Sequence, residues 1–287
     1  MPSDPPRPDV SRVVARALDT VLALAAADGI SRAELARQLD LPPTTVLRLL
    51  TTLAERRMAE LDPASQLWTV GPAAFRLGAA FLRRGGLGDR ARPILRALAD
   101  DSGETALLAV ADGDGALIVA QAQPPHPVRA DLPDGTRLAL HATAAGKALI
   151  AHLPLQRVHA LLGRGDLPAL TAATRTDQGD LTADLATIRH SGVAREIDEA
   201  AEGLSGLAAP VFGGLGDPVA ALALAGPSAR LTAARIDLMA PRVVTAARAL
   251  GTALGGPGGA DPVRRELRSR APSDRSPGPL SGAATRR

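Results

Sequence analysis

Two stretches of the chain hold residue types from which a reactive or binding site could be built. His141-Ala142-Thr143-Ala144-Ala145-Gly146-Lys147 reads as a strand running into a helix start, where free backbone N–H groups can receive a carboxylate. Its Gly146-Lys147 pair resembles a phosphate loop only superficially. The leading Gly four residues earlier is missing, and Ala148 stands where a Ser or Thr would hold magnesium, so nucleotide binding is not expected. Two readings stay open for this stretch: a carboxylate seat, or a helix start whose small residues permit close packing. Glu196, Asp198 and Glu199 cluster at or just past a strand end. Paired carboxylates can share acid–base work, but no nucleophile, metal-ligand set or second acid lies in register with them, and a solvated loop is the plainer reading. Gly203-Leu204-Ser205-Gly206-Leu207 approaches a nucleophile elbow but lacks its final Gly, so Ser205 reads as a loop residue lining a pocket. The five histidines (His126, His141, His152, His159 and His190) show no metal spacing, and zero Cys removes thiolate zinc sites, thiol catalysis and disulfides. No catalytic set, metal or cofactor is expected.

The remaining chemistry points to DNA. Two short helices separated by a tight turn and followed by a hairpin describe a winged helix-turn-helix. The second helix of the pair would lie in the major groove, with Thr44, Thr45, Leu47, Arg48, Thr51 and Thr52 outward. Hydroxyls at a helix start suit phosphate oxygens, Arg48 can reach a guanine edge bidentately, and Leu47 suits a thymine methyl. The plainer alternative is a three-helix packing unit with Arg48 on a solvated face. Ser31 lies close by, although its spacing to Glu34 makes it first of all a helix cap.

The elements that must position these residues follow from periodicity. Residues 1–10 read as a disordered leader. From Ser11 to Asp28, apolar residues at Val14, Leu18, Val21, Leu22 and Ala25 mark one face of a helix, stopped by Asp28-Gly29. A short helix follows with Leu35, Ala36 and Leu39 inward. Pro42 and Pro43 start the third helix, which carries the stripe Val46, Leu49, Leu50 and Leu53. Ala59–Leu61 and Leu67–Val70 form a hairpin closed by Gly71. A linker helix from Pro72 presents Ala74, Leu77, Phe81 and Leu82 on one side and ends at Arg83-Arg84-Gly85-Gly86.

The expected organisation is therefore a DNA-binding domain over 11–71, a linker helix over 72–86 and a second domain over 87–255. The second domain opens with a helix from Leu87 to Ala99. Strands at Thr105–Ala111 and Ala116–Ala122 flank the hairpin signal Asp112-Gly113-Asp114-Gly115. Weaker strands are expected at Val128–Leu132 and Arg137–Leu140. Helices follow at Thr143–His152, Leu155–Leu162 and Leu181–Ser191, then strands at Val193–Ile197, Leu207–Phe212 and Pro218–Ala225. A helix from Thr232 to Leu254, bent near Pro241, closes the domain. Hairpin-linked strands with helices between groups predict α+β with a mostly antiparallel sheet.

The pI of about 10.6 is a weak pointer to nucleic acid. Net charge is only +3, and with one Lys, no Tyr and no Cys a small Arg surplus drives the pI up. That surplus sits in the Gly/Pro/Arg/Ser-rich stretch 256–287, which reads as a disordered tail able to add non-specific DNA affinity. With only four aromatic residues (Trp68, Phe75, Phe81 and Phe212), a stacking platform for single strands is excluded. No apolar run is long enough for a membrane helix, and the first residues lack the core of a signal peptide, so a cytoplasmic protein is expected.

Residues 11–255 resemble the IclR family of transcription regulators. The matches are Ser31–Leu53 (S-R-A-E-L-A-R-Q-L-D-L-P-P-T-T-V-L-R-L-L-T-T-L), Trp68-Thr69-Val70-Gly71, Leu140–Ala148, Gly203–Phe212 and Ala220–Arg230, in the family's order. The resemblance implies a homodimer or homotetramer on double-stranded operator DNA, an inverted repeat. It also implies a GAF-like α/β effector domain for small organic acids or aromatic catabolites, acting in repression or activation. On its strength Ala144, Ala145 and Gly146 become backbone donors to an effector, and Glu196 a carboxylate that approaches it. Three departures stand out. Arg56-Arg57 replace a stretch that usually holds Gly and can add phosphate contacts. The wing lacks the arginine of the usual Y-R-L-G. Gly206, Ala223 and Ala225 stand where relatives taking very small oxo-acids have Cys or Ser, so a larger or more apolar effector is expected. The rival readings are an architectural DNA-binding protein with a ligand-free oligomerisation domain, and an enzyme fused to a DNA-binding domain.

Overall fold

The computed structural model describes residues 11–83, 86–163 and 165–256. The leader and tail expected at 1–10 and 257–287 lie outside the described residues. Two compact units divide between Gly86 and Leu87.

In the first unit α1 (Arg12–Ala25), α2 (Arg32–Gln38) and α3 (Pro43–Glu55) lead into β1 (Ala59–Leu61), β2 (Trp68–Val70) and α4 (Pro72–Arg83). The Ser31 hydroxyl oxygen accepts the Glu34 N–H at 3.2 Å, satisfying one of the donors that a helix start leaves open. Pro42 and Pro43 begin α3, where a missing N–H costs nothing. Leu35, Ala36, Val46 and Leu50 join Ala23, Leu24, Ile30, Ala59 and Trp68 in one core. β1 and β2 pair antiparallel, Leu61 opposite Trp68, and Ile30 adds a bridge to Trp68. Gly71 is set by close approach: a Cβ there would stand 2.3 Å from the Arg57 carbonyl oxygen.

Most of the apolar face that periodicity marks on α1 is turned out. Thr20, Ala23 and Leu24 are buried, whereas Val14, Leu18, Leu22 and neighbouring Val13 are 57–70% exposed. The helix carries two apolar stripes, and α2 and α3 cover the one of smaller residues. Thr20 tolerates burial because its hydroxyl donates to the Arg16 carbonyl at 2.7 Å. On α4, Leu77 and Phe75 are exposed, while Phe81 and Leu82 lie outside the described side chains.

The second unit comprises α5 (Leu87–Ser102), β3 (Thr105–Asp112), β4 (Gly115–Ala122), β5 (Arg137–Ala139), α6 (Ala144–Ile150), α7 (Leu155–Leu162), α8 (Gln178–Ser191), β6 (Ala194–Ile197), β7 (Leu204–Phe212), β8 (Pro218–Pro227) and α9 (Ala233–Ala253). Its six strands run in the order β5-β4-β3-β8-β7-β6 with every pair antiparallel, which is the α+β architecture that the hairpin signals imply. Strand alternation divides the side chains between two faces. Leu107, Ala109, Ile118, Ala208, Ala221 and Ala223 share a core with residues of α6 and α8. Their neighbours Leu108, Leu207, Leu222 and Leu224 are buried on the opposite face, where α5 and α9 pack.

Two expectations are corrected here. Val128–Leu132 is not a strand, because side chains instead of a neighbouring strand take its carbonyls. Ala130 O accepts from Thr105 Oγ1 at 2.8 Å and Val128 O from Arg230 at 2.9 Å. Prolines at 124, 125, 127 and 133 also remove ladder donors around it. β7 begins at Leu204, three residues before the expected start, which puts Ser205 and Gly206 in a strand rather than a loop.

Candidate functional site

α3 presents the first site. Thr44, Leu47, Arg48, Thr51 and Thr52 are exposed along it, Thr45 is half-buried, and Arg56 and Arg57 are exposed at its C-terminal end. Val46, Leu49 and Leu50 bury the opposite face, so packing fixes the rotation of the helix. The Thr51 and Thr52 hydroxyls donate back to the carbonyls of Leu47 and Arg48 at 2.9 Å, leaving their oxygens as acceptors only. Arg57 has φ 59°, a left-handed conformation that favours glycine. Ser31 is half-buried and holds its cap.

The second site is a cavity of about 230 Å³ between α6 and the sheet. Its walls include Leu107, Leu138, Ala223 and Ala225 from the strands, Ala144 and Ala145 from α6, and Leu170, Ala200 and Ala201 from the loops over it. Thr171 Oγ1 and Thr174 Oγ1 both donate at 2.6 Å, to the carbonyls of Asp198 and Glu199 respectively, and so fasten those two loops together. Arg137 contributes at the β5 edge. Its guanidinium is held outside by Asp112 Oδ2 at 2.9 Å, the Asp112 carbonyl at 2.7 Å and Asp114 Oδ1 at 2.8 Å.

Glu196 is the acidic residue of this lining. It is 6% exposed, and its Oε2 accepts the Ala144 N–H at 2.8 Å. Its Oε1 is buried with no hydrogen-bond partner among the described residues. Burial pushes the Glu196 carboxyl up to about 7, against the pull of the Ala144 N–H, of Lys147 and of the Ala200 N–H, while Glu199 adds to the rise. Glu199 lies behind it in a different setting. The fully buried Lys147 ammonium donates to Glu199 Oε1 at 2.8 Å and to Asp184 Oδ2 at 3.0 Å, and Arg175 Nε stands 3.7 Å from each of these carboxylates.

Of the residues singled out in the sequence for a ligand, Ala144, Ala145, Glu196, Gly206, Ala223 and Ala225 line the cavity. Gly146 and Ser205 do not. A Cβ on Gly146 would stand 2.5 Å from Leu140 Cα, so this glycine serves close packing, and its N–H is taken by Thr143 Oγ1 at 3.1 Å. Ser205 alternates to the far side of β7 from Gly206, and its hydroxyl donates to Ser228 Oγ at 2.9 Å. The Lys147–Glu199–Asp184 cluster escaped sequence reasoning. Its signal was present: the chain's single Lys sits in an otherwise small and apolar helix, and Glu199 follows Glu196 by three residues. Among the described residues no cluster of His, Asp and Glu could hold a metal ion, and no helix is long and apolar enough to cross a membrane.

A winged helix-turn-helix with an exposed polar helix, joined to a sheet domain enclosing a small apolar cavity, defines the class of ligand-responsive DNA-binding regulators. Comparison with known proteins gives the family. Residues 13–63 match the IclR helix-turn-helix domain and residues 79–252 the C-terminal domain of the bacterial transcriptional regulator IclR. The chain belongs to the IclR family of transcription regulators; it is a DNA-binding regulator with an effector-binding C-terminal domain and not an enzyme. It is 43% identical to the HTH-type transcriptional regulator BhcR of Paracoccus denitrificans, over 83% of this chain and 86% of the relative. The crystal structure of an IclR-type regulator from Silicibacter sp. TM1040 is 28% identical, with TM-score 0.76 over 85% of this chain and 97% of that one. An IclR homologue of Microbacterium hydrocarbonoxydans, solved in complex with 4-hydroxybenzoate, has the same fold at 21% identity, with TM-score 0.73 over 84% and 98% of the two chains.

Proposed function

We propose that α3 enters the major groove of an operator, with Arg48 reading a guanine edge, Leu47 against a thymine methyl, and Thr44 and Thr45 on phosphate. Arg56 and Arg57 add phosphate contacts at the root of the wing. The observation that carries this reading is the orientation of α3, whose apolar side is locked into the core while Arg48 and its neighbours stand free. The protein acts in the cytoplasm as a dimer or a pair of dimers on an inverted repeat. The turned-out apolar face of α1 supports this, because Val13, Val14, Leu18 and Leu22 form a stripe that a second copy would cover. The cavity takes the effector. Its apolar wall at Gly206, Ala223 and Ala225 suits a molecule larger than a two-carbon oxo-acid, and an apolar cavity of roughly 150 Å³ already holds benzene. The effector changes DNA binding by preferring one of two states of the protein.

Fluorescence anisotropy on the DNA flanking the protein's own gene, against scrambled DNA at the same salt, tests the reading. Preference of about a thousandfold is expected for the native DNA. Arg48→Ala should weaken native binding by about 1–3 kcal/mol and leave scrambled binding nearly unchanged. Equal, salt-sensitive binding to both DNAs would favour an architectural role.

A further inference from the structure

We propose that the cavity binds an organic acid together with one proton, so that the effector's carboxyl group and the Glu196 carboxyl share a single proton between them. This rests on the cavity being the effector site. Most polar groups of the wall are committed elsewhere. The Thr143 hydroxyl donates to the Ala139 carbonyl at 2.7 Å and accepts the Gly146 N–H. Arg137 is fastened at the rim by Asp112 and Asp114. Lys147 is fully buried behind the wall and engaged by Asp184 and Glu199. Two groups remain. The Ala145 N–H, in the first turn of α6, has no partner among the described residues. Glu196 Oε1 is buried without one, while Oε2 accepts the Ala144 N–H. Both residues line the cavity. Gly206 keeps the wall open beside them, since a Cβ there would stand 3.3 Å from Glu196 Oε2 and 3.7 Å from Ala144 Cβ.

A carboxyl head group answers both: one oxygen accepts the Ala145 N–H and the other meets Glu196 Oε1. Two ionised carboxylates cannot stand in contact between apolar walls with no free cation. One proton from solvent, placed between the two oxygens, turns that repulsion into a charge-assisted hydrogen bond. The pair then carries one negative charge, faced by the Ala144 and Ala145 N–H groups, and no bond to carbon is made or broken. Burial already holds the Glu196 carboxyl up to about 7, so the proton costs little near neutrality. The other charged groups around Glu196 are engaged. Lys147 of α6, Asp184 of α8, Glu199 and Arg175 form one cluster. Asp198 Oδ1 accepts the Gly203 N–H and the Ser228 hydroxyl, and His141 Nε2, ahead of α6, donates to the Pro168 carbonyl at 2.9 Å.

Isothermal titration of the full chain with benzoate, in buffers of different ionisation enthalpy, counts the protons taken up. At pH 8 free Glu196 is mostly ionised, and about one proton per bound benzoate is expected. At pH 5.5 it already carries its proton, and uptake should be near zero. The dissociation constant should stay flat below about pH 6 and rise about tenfold per pH unit above about pH 7.5. Benzamide has the same shape without the charge, donates an N–H to ionised Glu196, and should bind at pH 8 with almost no uptake. Glu196→Gln keeps an oxygen for the Ala144 N–H and should abolish both the uptake and the pH dependence for benzoate. Benzoate binding at pH 8 without proton uptake would overturn the proposal and leave the effector cavity standing, as would equal uptake with benzamide. Uptake that persists in the variant would assign the proton to another group and overturn it too. Binding of neither probe at either pH would overturn the reading of the cavity as the effector site, and this proposal with it.

Discussion

Glu196 and Glu199 are three residues apart, both buried, and both turned toward α6, yet they sit in opposite electrostatic settings. Glu199 shares a buried cation with Asp184, and Arg175 closes the cluster from the solvent side. Glu196 has backbone N–H groups, Ala144 foremost, and an apolar cavity. The first setting ties α6 to α8 and to the loop after β6. Each leaves one buried carboxylate oxygen, Glu199 Oε2 and Glu196 Oε1, without a hydrogen-bond partner among the described residues, but the first carboxylate is ion-paired and the second is not. What separates the two settings is the supply of counter-charge, not burial.

The largest expected effect comes from breaking the ion-paired half. Lys147→Met would leave two buried carboxylates facing each other, and a loss of about 3–5 kcal/mol in urea unfolding is expected. A loss under about 1 kcal/mol would mean that Arg175 alone neutralises the cluster. The next effect belongs to Glu196. A carboxyl held near 7 in the folded protein keeps a proton that the unfolded chain has released, so it favours folding fully below about pH 4.5 and loses that contribution as pH rises through about 7. Unfolding free energy should fall by about 2 kcal/mol between pH 5.5 and 8, and Glu196→Gln should flatten that part of the curve. The charges that act on this carboxyl are Lys147 and Glu199, with Asp184 and Arg175 behind them. A slope that persists in the variant would place the titration elsewhere in that cluster. The smallest effect comes from supplying the missing donor. A Cβ on Gly206 would stand 3.3 Å from Glu196 Oε2, so the hydroxyl of Gly206→Ser falls within reach of the carboxylate. It should remove about 1 kcal/mol of the pH slope. An unaltered slope would mean that the serine turns away.

What could be read in advance was what is local. The Ser31–Glu34 cap, the α3 stripe and the Asp112–Gly115 hairpin each depend on contacts within a few residues, and the structure contains all three. The α1 face could not be read, because periodicity finds apolar stripes but does not say which one a neighbouring helix covers. Ser205 was misplaced because the strand was started three residues late, and register decides which side of a sheet a residue faces. The Lys147–Glu199 pair spans 52 residues, so nothing local announces it. Its neighbour Glu196 stood out in the sequence as part of a carboxylate cluster, but its place toward a ligand came only from resemblance to the family.

The left-handed backbone at Arg57 carries a consequence for how this wing can vary. Glycine adopts that conformation freely, whereas a side chain with a Cβ is strained there by about 1–2 kcal/mol. Drift toward glycine at this position is therefore thermodynamically downhill, and the counterweight that the exposed arginine offers is its charge. Under the proposed phosphate contact, stability and grip would pull this one codon in opposite directions.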